Sequence, residues 1–129
     1  MGRKLETLKI RADFLRVASA GPRSARPGLV VQAAPHPHEP GGHTGIRVGF
    51  TASRKVGNAV VRNRAKRRMR AAAATVLPSH GHPGTDYVLI ARASTADRPF
   101  AELVADLDAA LRRIERGGAQ RPSALTAAT

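Results

Sequence analysis

A chain of 129 residues without cysteine is long enough for one small core, and it excludes disulfide staples and thiolate metal sites. Its 22 Lys+Arg against 9 Asp+Glu give a net charge of +13, an excess that repels itself on a folded surface and points to a polyanionic partner. No apolar run reaches the ~20 residues of a membrane span, and Met1 to Arg11 carries charge without a following apolar stretch, so neither a membrane anchor nor a signal peptide is expected and a reducing, cytoplasmic setting fits.

Residues 1–10 read as an extended basic arm. The spacing of Phe14 and Val17 predicts a short helix from Arg11 to Ala18, stopped by Gly21 and Pro22. Leu29 to Ala33 reads as a strand, with Leu29, Val31 and Ala33 on one face and Val30 and Gln32 on the other. Ala34 to Gly45 is rich in Pro, Gly and His and reads as a loop. Ile46 to Ser53 is the clearest strand. Ile46, Val48, Phe50 and Ala52 point one way, and Arg47, Gly49, Thr51 and Ser53 the other. Such two-faced alternation predicts a sheet covered on one side only.

After a turn at Gly57 a helix is predicted from Asn58 to Val76, with Asn58 as its N-cap. Val61, Ala65, Met69, Ala72 and Val76 gather on one stripe. Asn63, Arg64, Lys66, Arg67 and Arg70 spread over the opposite side, and Arg62 and Arg68 flank the stripe. Pro78 to Thr85 reads as a loop, and Tyr87 to Ala91 as a buried strand. Pro99 opens a last helix in which Phe100, Leu103, Val104, Leu107, Leu111 and Ile114 repeat at helical spacing. Its acids lie early and its arginines late, as the helix dipole favours, and Gly117 and Gly118 end it. The expected organisation is one domain over 1–118, with 119–129 a disordered tail. The order α, two or three strands, α, β, α gives an α+β sandwich.

The charge is placed as well as abundant. No acid occurs between Glu39 and Asp86, and Arg62, Arg64, Lys66, Arg67, Arg68 and Arg70 put six cations within nine residues. A rigid helix at that spacing can meet successive phosphates of a folded RNA. Arg54 and Lys55 extend the patch, and Asn63 offers a donor and an acceptor to a sugar hydroxyl or base edge. Asn58 can serve as helix cap or as RNA contact. The apolar side of the helix is mostly alanine and valine, too slight for a membrane-surface helix. A protein nuclease needs clustered carboxylates or a histidine pair. The nine acids are scattered and the basic segment holds none, so no catalytic residue is assigned. His36, His38 and His43 fall in one loop and His80 and His82 in another. Without cysteine or a nearby carboxylate pair they are read as loop residues, not metal ligands. A DNA-binding helix is the rival, but no helix-turn-helix spacing precedes it.

The run from Arg47 to Arg70, with its turn Lys55-Val-Gly-Asn-Ala-Val60 and triplet Arg62-Asn63-Arg64, resembles the bacterial ribonuclease P protein family. Arg11-Ala-Asp-Phe-Leu-Arg-Val17 and Asp86-Tyr-Val-Leu-Ile-Ala-Arg92 look like two flanking motifs of that family, so the likeness covers about residues 5 to 116. The resemblance implies a mixed sheet with a left-handed β-α-β crossover, as in the second domain of ribosomal protein S5. It implies a protein subunit that grips a catalytic RNA through Arg54, Lys55, Asn58, Arg62, Asn63, Arg64, Lys66, Arg67, Arg68 and Arg70. It also implies hydrolysis by that RNA with bound Mg2+, and removal of the 5′ leader of precursor tRNA. No obligate protein partner is implied. The leader would enter a cleft between the first helix and the sheet, near Arg11, Phe14, Arg16 and Gln32. This sequence departs from the pattern at Ala18, where the family often has a second aromatic, and near Gln32, where another is replaced. The alternative is a structural RNA-binding protein of ribosomal type with no processing role.

Overall fold

In the computed structural model, which describes residues 5–35 and 45–115, the order is β1 (Leu5–Thr7), α1 (Arg11–Ala20), β2 (Arg23–Ala25), β3 (Leu29–Pro35), β4 (Ile46–Thr51), a single 3-10 turn (Arg54–Val56), α2 (Ala59–His80), β5 (Thr85–Ala91) and α3 (Phe100–Glu115). The first four residues of the arm, the loop segment with His36, His38 and His43, and residues 116–129 lie outside the described residues.

The strands form one mixed sheet in the order β1-β4-β5-β3-β2. β4 pairs in parallel with both β1 and β5, while β3 runs antiparallel to β5 and β2 to β3. α2 is therefore the crossover of a β-α-β unit between neighbouring parallel strands. The architecture is the α+β sandwich expected.

Several bounds shift by about two residues from the sequence reading, with α1 running to Ala20, β3 to Pro35, β4 ending at Thr51 and β5 starting at Thr85, and three differences are larger. The basic arm contains a strand: Leu5, Glu6 and Thr7 pair with Ile46, Arg47 and Val48, because β4 offers an open edge whose backbone groups need partners. β2 is likewise a short edge strand. α2 does not stop before Pro78 but runs through it to His80. Proline removes one backbone donor there, yet the buried Val76 and Leu77 hold that last turn on the sheet, and Gly81 N closes it on the Leu77 carbonyl at 2.8 Å.

α2 and α3 cover one face of the sheet. The main core joins Leu29, Val31, Ile46, Val48, Tyr87 and Leu89 of the strands to Ala65, Met69, Ala72, Val76 and Leu77 of α2 and to Leu103, Leu107 and Leu111 of α3. The alternation in β3 and β4 and the stripe on α2 were placed correctly. Pro99 sits one residue before α3, its carbonyl accepting from the N–H groups of Glu102 and Leu103. The opposite face of the sheet is not left bare. α1 lies across it, with a smaller cluster of Leu8, Val17, Ala34 and Val88 and the partly buried Phe14 and Ile90. Gly49 and a half-buried ion cluster centred on the buried Asp86 make room for that helix.

Candidate nucleic-acid interface

The long helix starts where the sequence places it. Asn58 has an extended backbone, and its side-chain oxygen accepts from Val61 N at 3.0 Å. Gly57 has φ +151, and a Cβ there would meet Val61 Cβ at 2.9 Å. The turn from β4 into α2 thus requires glycine on both counts. Arg54 and Lys55 lie on the exposed 3-10 turn just before it.

From this start the helix presents Asn58, Asn63, Arg64, Arg67 and Arg70 to solvent, while Arg62, Lys66 and Arg68 are half-buried at the flanks. α2 carries no carboxylate. Among the described residues Arg54, Lys55, Arg64, Lys66 and Arg67 make no ion pair with a protein acid. Arg70 places its guanidinium carbon 5.2 Å from the centre of the Phe50 ring, a cation–π distance.

Arg68 is different from the rest of its run. It donates to the Thr95 carbonyl at 2.5 Å and also to the Arg98 carbonyl. Thr95 in turn is buried and donates to the Gly28 carbonyl at 2.6 Å, and Arg98 binds Asp106 at 2.6 Å. Arg68 thereby fastens the connection between β5 and α3 onto α2.

The second surface is a cleft of about 510 Å³ between α1 and the sheet, lined by Lys9, Arg11, Phe14, Leu15, Ala18, Gln32, Phe50, Thr51, Val88 and Ile90. Among the described residues its lining holds two cations and no acid. The ring of Phe14 rests over Gly49, where an added Cβ would stand 2.4 Å from Phe14 Cζ. Phe50 lies on the opposite pleat from Gly49 and packs against the main core. Phe14 and Phe50 are both aromatics of the cleft lining, and Ala18, one turn beyond Phe14 on α1, adds only a methyl group to the same wall.

Of the sequence-predicted cleft residues, Arg11, Phe14 and Gln32 line it and Arg16 does not. Arg16 donates to the Pro35 carbonyl at 3.0 Å and to the Asp86 carboxylate. Asp86, with no exposed side-chain surface, accepts two bonds from Arg47 at 2.8 and 2.6 Å. Burial alone pushes its carboxyl pKa up, but the hydrogen bonds and charges of Arg47 and Arg16 outweigh this and hold it below the ordinary carboxylate value. Lys9, Leu15, Phe50, Thr51, Val88 and Ile90 also line the cleft and are not legible as cleft residues in the sequence. Lys9 belongs to the extended basic arm, and the pairing of β1 with β4 just before it carries it to the cleft.

His80 and His82 are also not simple loop residues. His80 ends α2 and pairs with Asp108 at 3.0 Å, and His82 pairs with Glu115 at 2.7 Å, so both tie the end of α2 to α3. Among the described residues no three metal-ligating side chains gather, and no helix is long and apolar enough to cross a membrane.

Fold and charge define the class: a small basic α+β protein with a helix face suited to a polyanion. The Ribonuclease P family model matches residues 3–115. The ribonuclease P protein component of Paramagnetospirillum magneticum is 52% identical over 114 residues, covering 88% of this chain and 86% of that one. That of Ruegeria pomeroyi is 54% identical over 111 residues, covering 85% and 86%. A solved structure of a Staphylococcus aureus RNase P protein mutant superposes with a TM-score of 0.70 at 28% identity, covering 84% of this chain and 87% of that one. The chain belongs to the bacterial ribonuclease P protein family. It is the protein subunit of a ribonucleoprotein endonuclease of tRNA processing, with the RNase P RNA subunit as its implied partner.

Proposed function

We propose that this subunit uses its two basic surfaces for two different RNAs. The exposed side of α2, with the preceding turn, grips the catalytic RNA through Arg54, Lys55, Asn58, Arg62, Asn63, Arg64, Lys66, Arg67 and Arg70. The cleft receives the single-stranded 5′ leader of precursor tRNA, with Phe14 against a nucleotide, Gln32 as a polar contact, and Lys9 and Arg11 at leader phosphates. The observation that carries this reading is the separation of the surfaces: among the described residues, exposed arginines of α2 without acid partners lie over one face of the sheet, and a cleft whose lining includes no acid lies over the other.

Magnesium, in this reading, is bound mainly by the RNA subunit and supplies the hydrolytic chemistry there. Among the described residues, Asp86 and Asp106 bind arginines and Asp108 and Glu115 pair with histidines. The protein's own work is to bind and orient. Reconstitution tests it: the protein is added to its cognate RNA subunit at low magnesium and 5′ cleavage of precursor tRNA is followed. Faster cleavage than with RNA alone is expected, and an unchanged rate overturns the processing role.

A further inference from the structure

The helix that walls the cleft has an anchor of its own. Among the described side chains, α1 contributes one fully buried apolar group, Val17, to a cluster completed by Leu8, Ala34 and Val88. That is a small apolar contact for a helix of 10 residues. Beside it sits a knot of charge. Asp86 on β5 takes Arg47 of β4 bidentately and Arg16 of α1 on the same oxygen that Arg47 Nη2 reaches. Arg16 Nη1 reaches on to the Pro35 carbonyl of β3 at 3.0 Å. Asp13, also on α1, stands 3.5 Å from Arg16 and 3.6 Å from Arg47. Four side chains thus tie α1 to the three central strands.

Among the described residues, two guanidinium groups face two carboxylates in this knot. Arg16 spends donors on Asp86, Asp13 and Pro35 and keeps little for a phosphate. At 100° per residue it also points about 200° away from Phe14. When the ring faces the cleft, the guanidinium faces the far flank.

We propose that Arg16 and Asp86 are positioning residues for leader binding: the knot fixes the height and roll of α1 over the sheet, and through it the places of Phe14 and Arg11. Arg16 does not meet a leader phosphate. This rests on the cleft reading above. Because the knot lies on the face opposite α2, it leaves the grip on the RNA subunit untouched.

The test uses holoenzyme assembled from full-length protein and its RNA subunit. It reads the affinity for precursor tRNA relative to mature tRNA, and the slope of that affinity against salt, for Phe14→Ala, Arg16→Met, Asp86→Asn and the Arg16→Met/Asp86→Asn pair. Arg16→Met should lower the leader preference about 10-fold and Asp86→Asn by a similar factor, with the pair no worse than either alone. Affinity for the RNA subunit and the salt slope should stay at wild-type values. Should Asp86→Asn fail to fold, Arg16→Met still decides, because Asp86 keeps both bonds from Arg47. A direct phosphate contact by Arg16 would instead lower the slope by roughly 0.7 and leave Asp86→Asn with normal leader preference, which overturns the proposal. It also falls if Phe14→Ala loses the leader preference while both knot variants keep it. If Phe14→Ala keeps it too, the cleft reading falls and takes the proposal with it.

Discussion

The basic side of α2 and the cleft under α1 are both cationic, yet they are built on opposite principles. On α2 the cations are held on a 22-residue helix whose other side, with Ala65, Met69, Ala72, Ala73, Val76 and Leu77, is part of the main core. Among the described residues its exposed arginines have no acid partner, and its footing is mainly apolar, with Arg68 and His80 adding polar ties to the β5–α3 connection and to α3. In the cleft wall the order is reversed. α1 has a small apolar footing, and its central arginine is drawn inward to Asp86. The first surface presents charge and the second spends charge to hold a shape. Counting arginines does not measure an RNA-binding surface; what each guanidinium is already bonded to must be known first.

The largest effect that can break this contrast is on α2. Replacing Arg62, Arg64 and Arg67 together by alanine should weaken binding to the RNA subunit by about 100-fold or more near physiological salt, and flatten the salt slope by about 2, at roughly 0.7 per phosphate. A filter-binding titration at several salt concentrations checks it; unchanged affinity and slope would make the face merely solvated.

Next in size is the footing of α1. Arg47→Met leaves the buried Asp86 with fewer partners and should cost about 3 kcal/mol in urea unfolding. The sign with pH follows from the depressed folded-state pKa of Asp86. Its ion pairs stabilise fully above the unfolded value, near 4, and that contribution is lost as pH falls through the lower folded value. The urea midpoint of the wild type should therefore decline on acidification below about pH 4, and the Asp86 share of that decline should shrink in Arg47→Met.

Gly49→Ala sharpens the comparison further. The added carbon displaces the Phe14 ring from its seat, so stability should fall by about 1–3 kcal/mol and leader preference should drop while affinity for the RNA subunit holds. The smallest expected effect is at the helix start: Asn58→Ala removes the cap on Val61 N and should cost about 1 kcal/mol by thermal unfolding. A much larger loss of RNA affinity than of stability would give Asn58 a direct RNA contact as well.

Much of this was legible in the sequence, for identifiable reasons. The helix from Asn58 shows because Val61, Ala65, Met69, Ala72 and Val76 repeat at helical spacing, and because the turn-plus-triplet motif is long. Ile46 to Thr51 shows by strict alternation. The roles of Arg16 and Arg68 did not show. A cation beside an apolar stripe looks the same in sequence whether it meets a phosphate or a carbonyl of the same chain. Their partners lie 70 residues away at Asp86 and 27 and 30 away at Thr95 and Arg98. β1 was invisible because three residues carry no period, and its existence depends on the free edge of β4. The helical course through Pro78 follows from tertiary burial of Val76 and Leu77, which outweighs the local cost of proline.

The most direct test of two surfaces for two RNAs exploits the absence of cysteine in the chain. Ala71→Cys, on α2 one turn beyond Arg67, and Ala18→Cys, lining the cleft, are each labelled with a photo-cross-linker and assembled into holoenzyme with precursor tRNA. Cross-links from position 71 to the RNA subunit and from position 18 to the 5′ leader are predicted. Cross-links from both positions to the same RNA would contradict the division of labour.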